Sequence, residues 1–419
     1  MDGNVKKYIA GIGPSLPLEI ISAAACNKLN QMANLFSDFA ASEYIFESNL
    51  GTEAAEIDFS FRVLTEEKDC LDLSTLSTDR TWNRISNFLH FWSQGIEDIW
   101  FEMDYAEHEK ALPQPCFFFN ASQIKKGNQV DYHLLFGALK QLLENGQLKT
   151  LEGNIKDVIE HLPTKVGLFQ VGIMLARHSD RVRIFTTELT KIQVIEYLAN
   201  IGWTGSINRL EQLFKLIHQY SDGQYIVDFD VTSTGISEKI GINFGLDKRK
   251  TLPAFLDNLV NHQLCSDLKR KGVLAWLGSK GSFLGPDYGF SALIKDISHF
   301  KVSYLPADGL KAKAYLRVKG IYLKELYKAK VPSQDQEVKL GYKELQNVFK
   351  EIAKRSMLDK EYRELCLKDS VAAIKKVIGS EAAVPNNIIF LEQDGESIDS
   401  AGVVYILPPF LKQSWLLSK

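Results

Sequence analysis

The stretch SHFKVSYLPADGLKAKAYLRVK, Ser298–Lys319, decides the fold. It divides at Pro306-Ala307-Asp308-Gly309, a turn signal, into two segments of period-two alternation, Ser298–Leu305 and Leu310–Val318. Alternating segments joined by a short polar turn predict an antiparallel hairpin. On the second arm Ala312, Ala314, Leu316 and Val318 oppose Lys311, Lys313, Tyr315, Arg317 and Lys319. One face is therefore apolar and the other cationic.

The same pattern returns along the chain. Alternation marks further strands at Glu56–Leu64, Asp98–Tyr105, Pro115–Asn120, Val166–Arg177, Arg181–Thr187, Gln224–Thr232 and Glu238–Leu246. His178-Ser179-Asp180 and Ser233-Thr234-Gly235 supply further short turns. Between hairpins the apolar period becomes helical, as in Leu210, Leu213, Phe214 and Ile217, or Phe255, Leu256, Leu259 and Val260. Ser266 stands at an N-cap position for the helix that follows it. Upstream, Trp82–Trp92, Leu134–Leu143 and Ile155–Leu162 also read as helices. The unit is helix, strand, strand, helix, repeated about four or five times without sequence self-similarity. The expected class is α+β.

If the helices cover the apolar faces of the hairpins, the polar faces must meet something else. An open sheet leaves them in water. A closed barrel of about ten strands turns them into a charge-lined lumen wide enough for a ligand. Both readings remain open at this level.

Composition narrows the partners. The 419 residues are 45% hydrophobic and 24% charged, ordinary for a chain that buries a full core. Lys and Arg total 49 against 52 Asp and Glu, a net charge of -3 that gives no overall reason to expect nucleic acid or an anionic membrane. The five cysteines, Cys26, Cys70, Cys116, Cys265 and Cys366, form no C-x-x-C pair, which argues against zinc and suits a reducing compartment. Met1–Gly13 has no sustained apolar run, and nothing approaches about 18 uninterrupted apolar residues. A cytoplasmic protein without signal peptide or membrane span is expected.

The inner face sorts by sign. Arg181 and Arg183, His299 and Lys301, and Lys313, Tyr315 and Arg317 form a basic group, while Glu102 and Asp104, with Asp228 and Asp230, form an acidic one. Such charges pair with one another, face water or hold a ligand. A converging cationic set suits a diphosphate, and a carboxylate opposite can accept a proton from a nucleophile. Sharper motifs are absent: no D-D-x-x-D metal-diphosphate site, no phosphate loop and no G-x-S-x-G. Gly11-Ile12-Gly13-Pro14 carries little weight, and Gly278-Ser279-Lys280-Gly281-Ser282 reads as a mobile loop or lid.

With those residues in hand, the repeats and the polar lumen resemble the ABBA-type aromatic and peptide prenyltransferases. The resemblance covers about Ser42–Val318 and implies an antiparallel barrel ringed by helices. Basic residues and tyrosines, often spaced Lys-x-Tyr, would then bind a prenyl diphosphate without a metal motif. Lys313-Ala314-Tyr315 has that spacing, and Arg183-Ile184-Phe185 echoes it without the hydroxyl. The family also uses a lumen carboxylate as base, for which Glu102 matches by position, with Asp104 nearby. Arg181, Arg183, Lys301, Lys313, Tyr315 and Arg317 would hold the diphosphate, and Trp100 and Phe185 would shield the prenyl cation. No cofactor is implied beyond the prenyl diphosphate co-substrate, and no motif requires magnesium.

A second resemblance covers about Lys350–Phe410. Leu358-Asp359-Lys360-Glu361-Tyr362-Arg363-Glu364-Leu365, then Lys368-Asp369-Ser370-Val371-Ala372, Gly379, Pro385 and Tyr405-Ile406-Leu407-Pro408-Pro409 resemble the nitrile-hydratase-like leader peptides of ribosomally made, modified peptides. Ser370 stands where those leaders carry proline, and no Gly-Gly cleavage site follows Pro409. The tail is read as a helix Leu340–Ser356, a helix Glu361–Ile378 ended by Gly379, and strands Asn387–Glu392 and Val403–Leu407. The expected organisation is a prenyltransferase-like barrel over 1–320, a linker over 321–339 around Pro332, and a leader-like domain over 340–419. The two resemblances together imply prenyl transfer onto an aromatic or peptide acceptor in modified-peptide biosynthesis, with a maturation enzyme as a partner of the tail. A non-catalytic recognition or scaffold protein of such a pathway is the alternative. A precursor carrying Phe410–Lys419 as its own substrate is another.

Overall fold

A hairpin hides its apolar face only if something packs on it, and here helices do so for five successive hairpins. The computed structural model describes residues 5–36, 39, 41, 43–71, 73, 76–92, 95–144, 146–177, 180–246, 251–283, 290–307, 309–322, 342–379, 388–392, 403–408 and 410. Helices α1 (Val5–Ile12) and α2 (Ala23–Leu35) lead into strands β1 (Glu43–Asn49) and β2 (Asp58–Leu64). Helix α3 (Arg80–Phe91) precedes β3 (Asp98–Met103) and β4 (Cys116–Asn120), followed by a minor hairpin, β5 (Lys125–Lys126) and β6 (Gln129–Val130). Helices α4 (Tyr132–Leu142) and α5 (Gln147–Glu160) precede β7 (Leu168–Ile173) and β8 (Val182–Thr186). Then come α6 (Lys191–Asn200), α7 (Ile207–Ile217), β9 (Ile226–Thr232) and β10 (Gly235–Phe244). Helices α8 (Leu252–Asn261) and α9 (Asp267–Trp276) lead to β11 (Gly278–Phe283), β12 (Phe290–Leu305) and β13 (Gly309–Tyr322).

Local chemistry sets the helix starts. Asp79 accepts hydrogen bonds from the Thr81 and Trp82 N–H groups, Ser266 caps α9 through the Lys269 N–H, and Thr190 and Gln193 form a reciprocal capping box on α6.

The sheet closes. Strand order runs β1-β2-β3-β4-β7-β8-β9-β10-β12-β13, all antiparallel, and β13 pairs back onto β1. The closing seam between β10 and β12 runs from Ile240 opposite Tyr304 to Phe244 opposite Phe300. The lumen reading is therefore the correct one of the two, and the open wetted sheet is not. The apolar strand faces meet the helices: Val227, Phe229, Val231, Ala314 and Leu316 are all buried there. Under α3, Phe61 and Phe101 stack at 5.0 Å with Trp82 over them. Each such ring is worth about 1.5–3 kcal/mol on full burial.

Several expected boundaries move, each for a local reason. Strand β1 was not anticipated, because inward-facing Ile45 blurs the alternation of Glu43–Asn49. Strand β12 begins at Phe290 rather than Ser298, since a bulge between Ile297 and His299 resets its face and hides the first half of the pattern. Strand β7 stops at Ile173, with Leu175–Arg177 turning as a short 3₁₀ helix. Gly278–Ser282 is part of strand β11, paired outside the barrel with the first half of β12, and is not a loop. His178 and Ser179 of the expected turn lie outside the described residues, as do 323–339 of the expected linker and 340–341 at the start of the helix expected after it.

A second hydrophobic core belongs to α10 (Tyr342–Leu358), α11 (Lys360–Lys368), α12 (Ser370–Ile378) and the parallel pair β14 (Ile388–Leu391) and β15 (Val403–Ile406). Phe349, Ile352, Tyr362, Ile374, Phe390 and Tyr405 build it, and Ala292 of β12 joins it. The single helix expected over Glu361–Ile378 is two helices. Asp369 interrupts it, because its carboxylate caps the second through the Ala372 N–H. Gly379 ends α12 at φ 93°, as its C′ position requires. Pro385 and 411–419 fall outside the described residues. Among the described residues no helix is long and apolar enough to cross a membrane.

Candidate active site

All ten barrel strands contribute side chains to one chamber of about 790 Å³. Strand β13 gives its whole polar face, Lys311, Lys313, Tyr315, Arg317 and Lys319, as the alternation predicts. Strand β12 adds His299 and Lys301, β8 adds Arg183 and Phe185, and β3 adds Asp98, Trp100 and Glu102.

The charges do not stand apart in a basic and an acidic group. Register pairs most of them across neighbouring strands, and Lys301 reaches Asp228 across β10 over Gly241. Arg183 lies opposite Asp230 and bonds it through Nε and Nη2 at 2.7 and 3.1 Å. Lys301 bonds Asp228 at 2.7 Å, and both are almost fully buried. Arg317 forks onto Asp296 at 2.7 and 2.6 Å and reaches Glu43 at 3.6 Å. Lys313 bonds Glu47. This corrects the expected separation by sign: unpaired charge in a half-dry lumen is costly, and cross-strand neighbours supply the counter-charge.

Two sequence-level candidates stand off the chamber lining. Alternation on β3 ends at Met103, so Asp104 sits past the strand and is held by Arg177 at 2.8 and 2.5 Å. Arg181 precedes β8 with a half-exposed side chain, 3.7 Å from Asp230.

Acids gather where β1, β2 and β3 adjoin. Asp58 lies directly opposite Glu47, and Ser60 opposite Glu102. Burial opposes charge on Glu47, but Lys313 and a hydrogen bond from Tyr315 outweigh it and hold its carboxyl well below the usual range. Glu102 is pushed up to about 7, first by burial and then by the Glu47 charge, with Arg177 at 3.3 Å pulling the other way. Asp58 rises to about 7 for the same two reasons.

Beside them lies an aromatic wall. Phe118 and Phe185 meet edge to face at 5.9 Å with Trp100 packed beside them, and Lys301 stands 5.9 Å from the Phe185 ring. His299 stacks on Tyr315 at 4.1 Å, and burial together with Lys301 pushes its imidazole down to about 4, so it is neutral at pH 7. Phe118 needs Gly172 beneath it: a Cβ there would stand 2.2 Å from the ring. Gly172→Ala is expected to displace the ring and cost about 1–3 kcal/mol, read as a lowered melting temperature.

Sequence reasoning missed Glu43 and Glu47 because it missed β1. It also missed Arg62, Arg177 and Lys239 of the lining. Lys239, on the bulged part of β10, has no side-chain partner among the described residues, and neither do Lys311 and Lys319. Lys239 is exposed to the chamber, yet desolvation by the surrounding walls and the charges of Arg183, Lys301 and Lys313 push its amine down to about 8. Glu102, Asp104 and Cys116 lie within 4.8 Å of one another, a spacing that suits a metal. The Arg177 guanidinium already serves both carboxylates, and burial holds the Cys116 thiol well above its usual range, so this corner is built around its own cation.

Comparison with known proteins gives structural likeness alone. No family model matches the chain, and no curated protein does. The crystal structure of NotF in complex with brevianamide F and DMSPP is similar at a TM-score of 0.47 and 12% identity, over 76% of this chain and 94% of that one. The structure of AnaPT from Neosartorya fischeri is similar at 0.45 and 12%, over 75% and 91%. A 6-dimethylallyl tryptophan synthase follows at 0.41 and 11%, over 65% and 80%. No residue role is carried across at this level of similarity.

Proposed function

We propose that this chain transfers a prenyl group from an isoprenoid diphosphate to an aromatic or peptide acceptor inside the barrel. One observation carries the reading: a single closed chamber joins a cationic wall, an aromatic wall and a carboxyl group poised near neutrality. Lys239 and Lys311, which have no acid partner among the described residues, would meet the diphosphate first. Arg183, Lys301, Lys313, Tyr315 and Arg317 would turn toward it, each at the expense of an existing bond, while Arg181 stands at the rim. The allylic C–O bond breaks with its electron pair leaving on the diphosphate, whose growing charge these groups stabilise. Trp100 and Phe185 flank the allyl cation, as aromatic faces attract positive charge. The acceptor closes the new bond and gives its proton to the Glu102 carboxylate.

The organisation we propose keeps the barrel over 1–320 as the catalytic part and 340–419 as a leader-like unit that docks a peptide substrate or a maturation enzyme. The second small core of α10–α12 and β14–β15, which takes in Ala292 of β12, supports that division. A second reading, a non-catalytic chamber that holds a peptide, draws on the neutralisation of five chamber cations by their own carboxylates. Incubating the full chain with labelled prenyl diphosphates and aromatic or peptide acceptors separates the two. Labelled, mass-shifted acceptor supports transfer. Acceptor binding without any diphosphate binding supports the holder and ends the transferase.

A further inference from the structure

Where β1, β2 and β3 adjoin, four carboxyl groups meet at the margin of the chamber, and among the described residues two cations are bonded to them. Glu47 of β1 takes Lys313, while Glu102 of β3 and Asp104 share Arg177. Asp58 of β2 is the fourth. It lies directly opposite Glu47 across the β1–β2 ladder, and like charges so placed repel. Its Oδ1 accepts only the Tyr105 backbone N–H at 2.9 Å, and among the described residues no cation is bonded to it. Other elements face the corner too. Cys116 of β4 and Tyr315 of β13 border it, Lys301 and Asp228 act on it from β12 and β9, and His108 lies near Asp104.

The arrangement makes Lys313 a shared resource. While it serves Glu47, the Glu47–Asp58 pair is half compensated. An anion that draws Lys313 toward itself leaves two carboxyl groups facing each other with no cation bonded to either among the described residues, and one of them must then be neutral.

We propose that the corner formed by Glu47, Asp58 and Lys313 takes up a proton when a diphosphate enters the chamber, and that Asp58 is the group that receives it. The inference rests on the diphosphate reading above and deepens it: donor loading depends on pH separately from chemistry. The Asp58 carboxyl already sits near 7 before the anion arrives, which places the uptake in the neutral range. Uptake leaves Glu102 available as the base, because Arg177 remains on it.

Calorimetry of the full chain with inorganic diphosphate tests this, run in buffers of different ionisation enthalpy. At about pH 8, where Asp58 is ionised before the anion enters, the wild type is expected to take up about one more proton per bound diphosphate than Asp58→Asn, the ligand's own ionisation cancelling in the comparison. The ratio of wild-type to asparagine-variant affinity, in which the ligand's ionisation cancels, should fall about tenfold between about pH 6 and about pH 8. Asp58→Ser, with a melting curve for each variant, guards against loss of fold. Equal proton counts in wild type and both variants overturn the coupling and leave prenyl transfer standing. Absence of diphosphate binding by the wild type at either pH overturns both.

Discussion

Glu102→Gln is expected to lower kcat for prenyl transfer by about 10²–10⁴-fold, the range that a positioned general base supplies. The amide keeps the size of the side chain and can still accept from Arg177, so geometry persists while the proton acceptor is lost. The wild-type profile follows from the same group. A base works ionised, so the rate should climb as pH rises through about 7 and level off above it. The variant should lose that inflection along with the rate. Stability moves the opposite way. A carboxyl whose folded pKa lies above its unfolded value favours the fold at low pH and loses that contribution as pH rises through the folded value. Glu102→Gln should therefore melt higher than wild type above about pH 7 and lose that advantage in acid. Donor hydrolysis without acceptor provides the control, since it needs no base. A variant with unchanged kcat would move the proton to another group of the chamber.

How much of this was legible in the sequence depends on range. Lys311–Lys319 could be assigned a face from five alternate residues, and all five line the chamber. Helix starts at Ser266 and strand faces at Val227, Phe229 and Val231 follow equally from local period. Closure is different. It depends on β13 meeting β1, strands far apart in the chain, and β1 was the strand whose pattern Ile45 obscured. Bulges add to the loss: beyond the one at Ile297, alternation in β12 points the other way, so half of a long strand is unreadable by period. Ion pairing was hidden for the same reason. Arg183 and Asp230 stand opposite one another only because of register, which residue spacing within one strand cannot express. Lys239 sits where β10 loses its regular pairing with β9, so no alternating pattern announced it.

Lys301→Met should cost about 3–5 kcal/mol of folding stability, the usual result of removing one member of a buried pair. Lys301 and Asp228 are 6% and 3% exposed, and after the change Asp228 keeps, among the described residues, the Asn243 amide at 2.8 Å. The field of Arg183 is the remaining compensation for its charge. The crowding is tight: a Cβ on Gly241 would stand 2.2 Å from both Asp228 Oδ2 and Lys301 Cε, so the strand cannot easily shift to relieve the charge. Burial disfavours the Asp228 carboxylate, yet Lys301 and Arg183 hold its pKa below the ordinary value. The stability it contributes is present above that ordinary value and is lost as pH falls through the folded one. Acid should then destabilise the wild type through this pair, and Lys301→Met should show less of that dependence. The double variant, Lys301→Met with Asp228→Asn, separates scaffold from site. With no charge left to strand, it should recover most of the lost stability in a denaturant titration. If Lys301 also holds the diphosphate, donor binding stays weakened in the double variant although the barrel is restored. Recovery of stability and donor affinity together would make the pair a barrel fastening and remove Lys301 from the binding set, leaving Lys239, Lys311 and Lys313 to carry it.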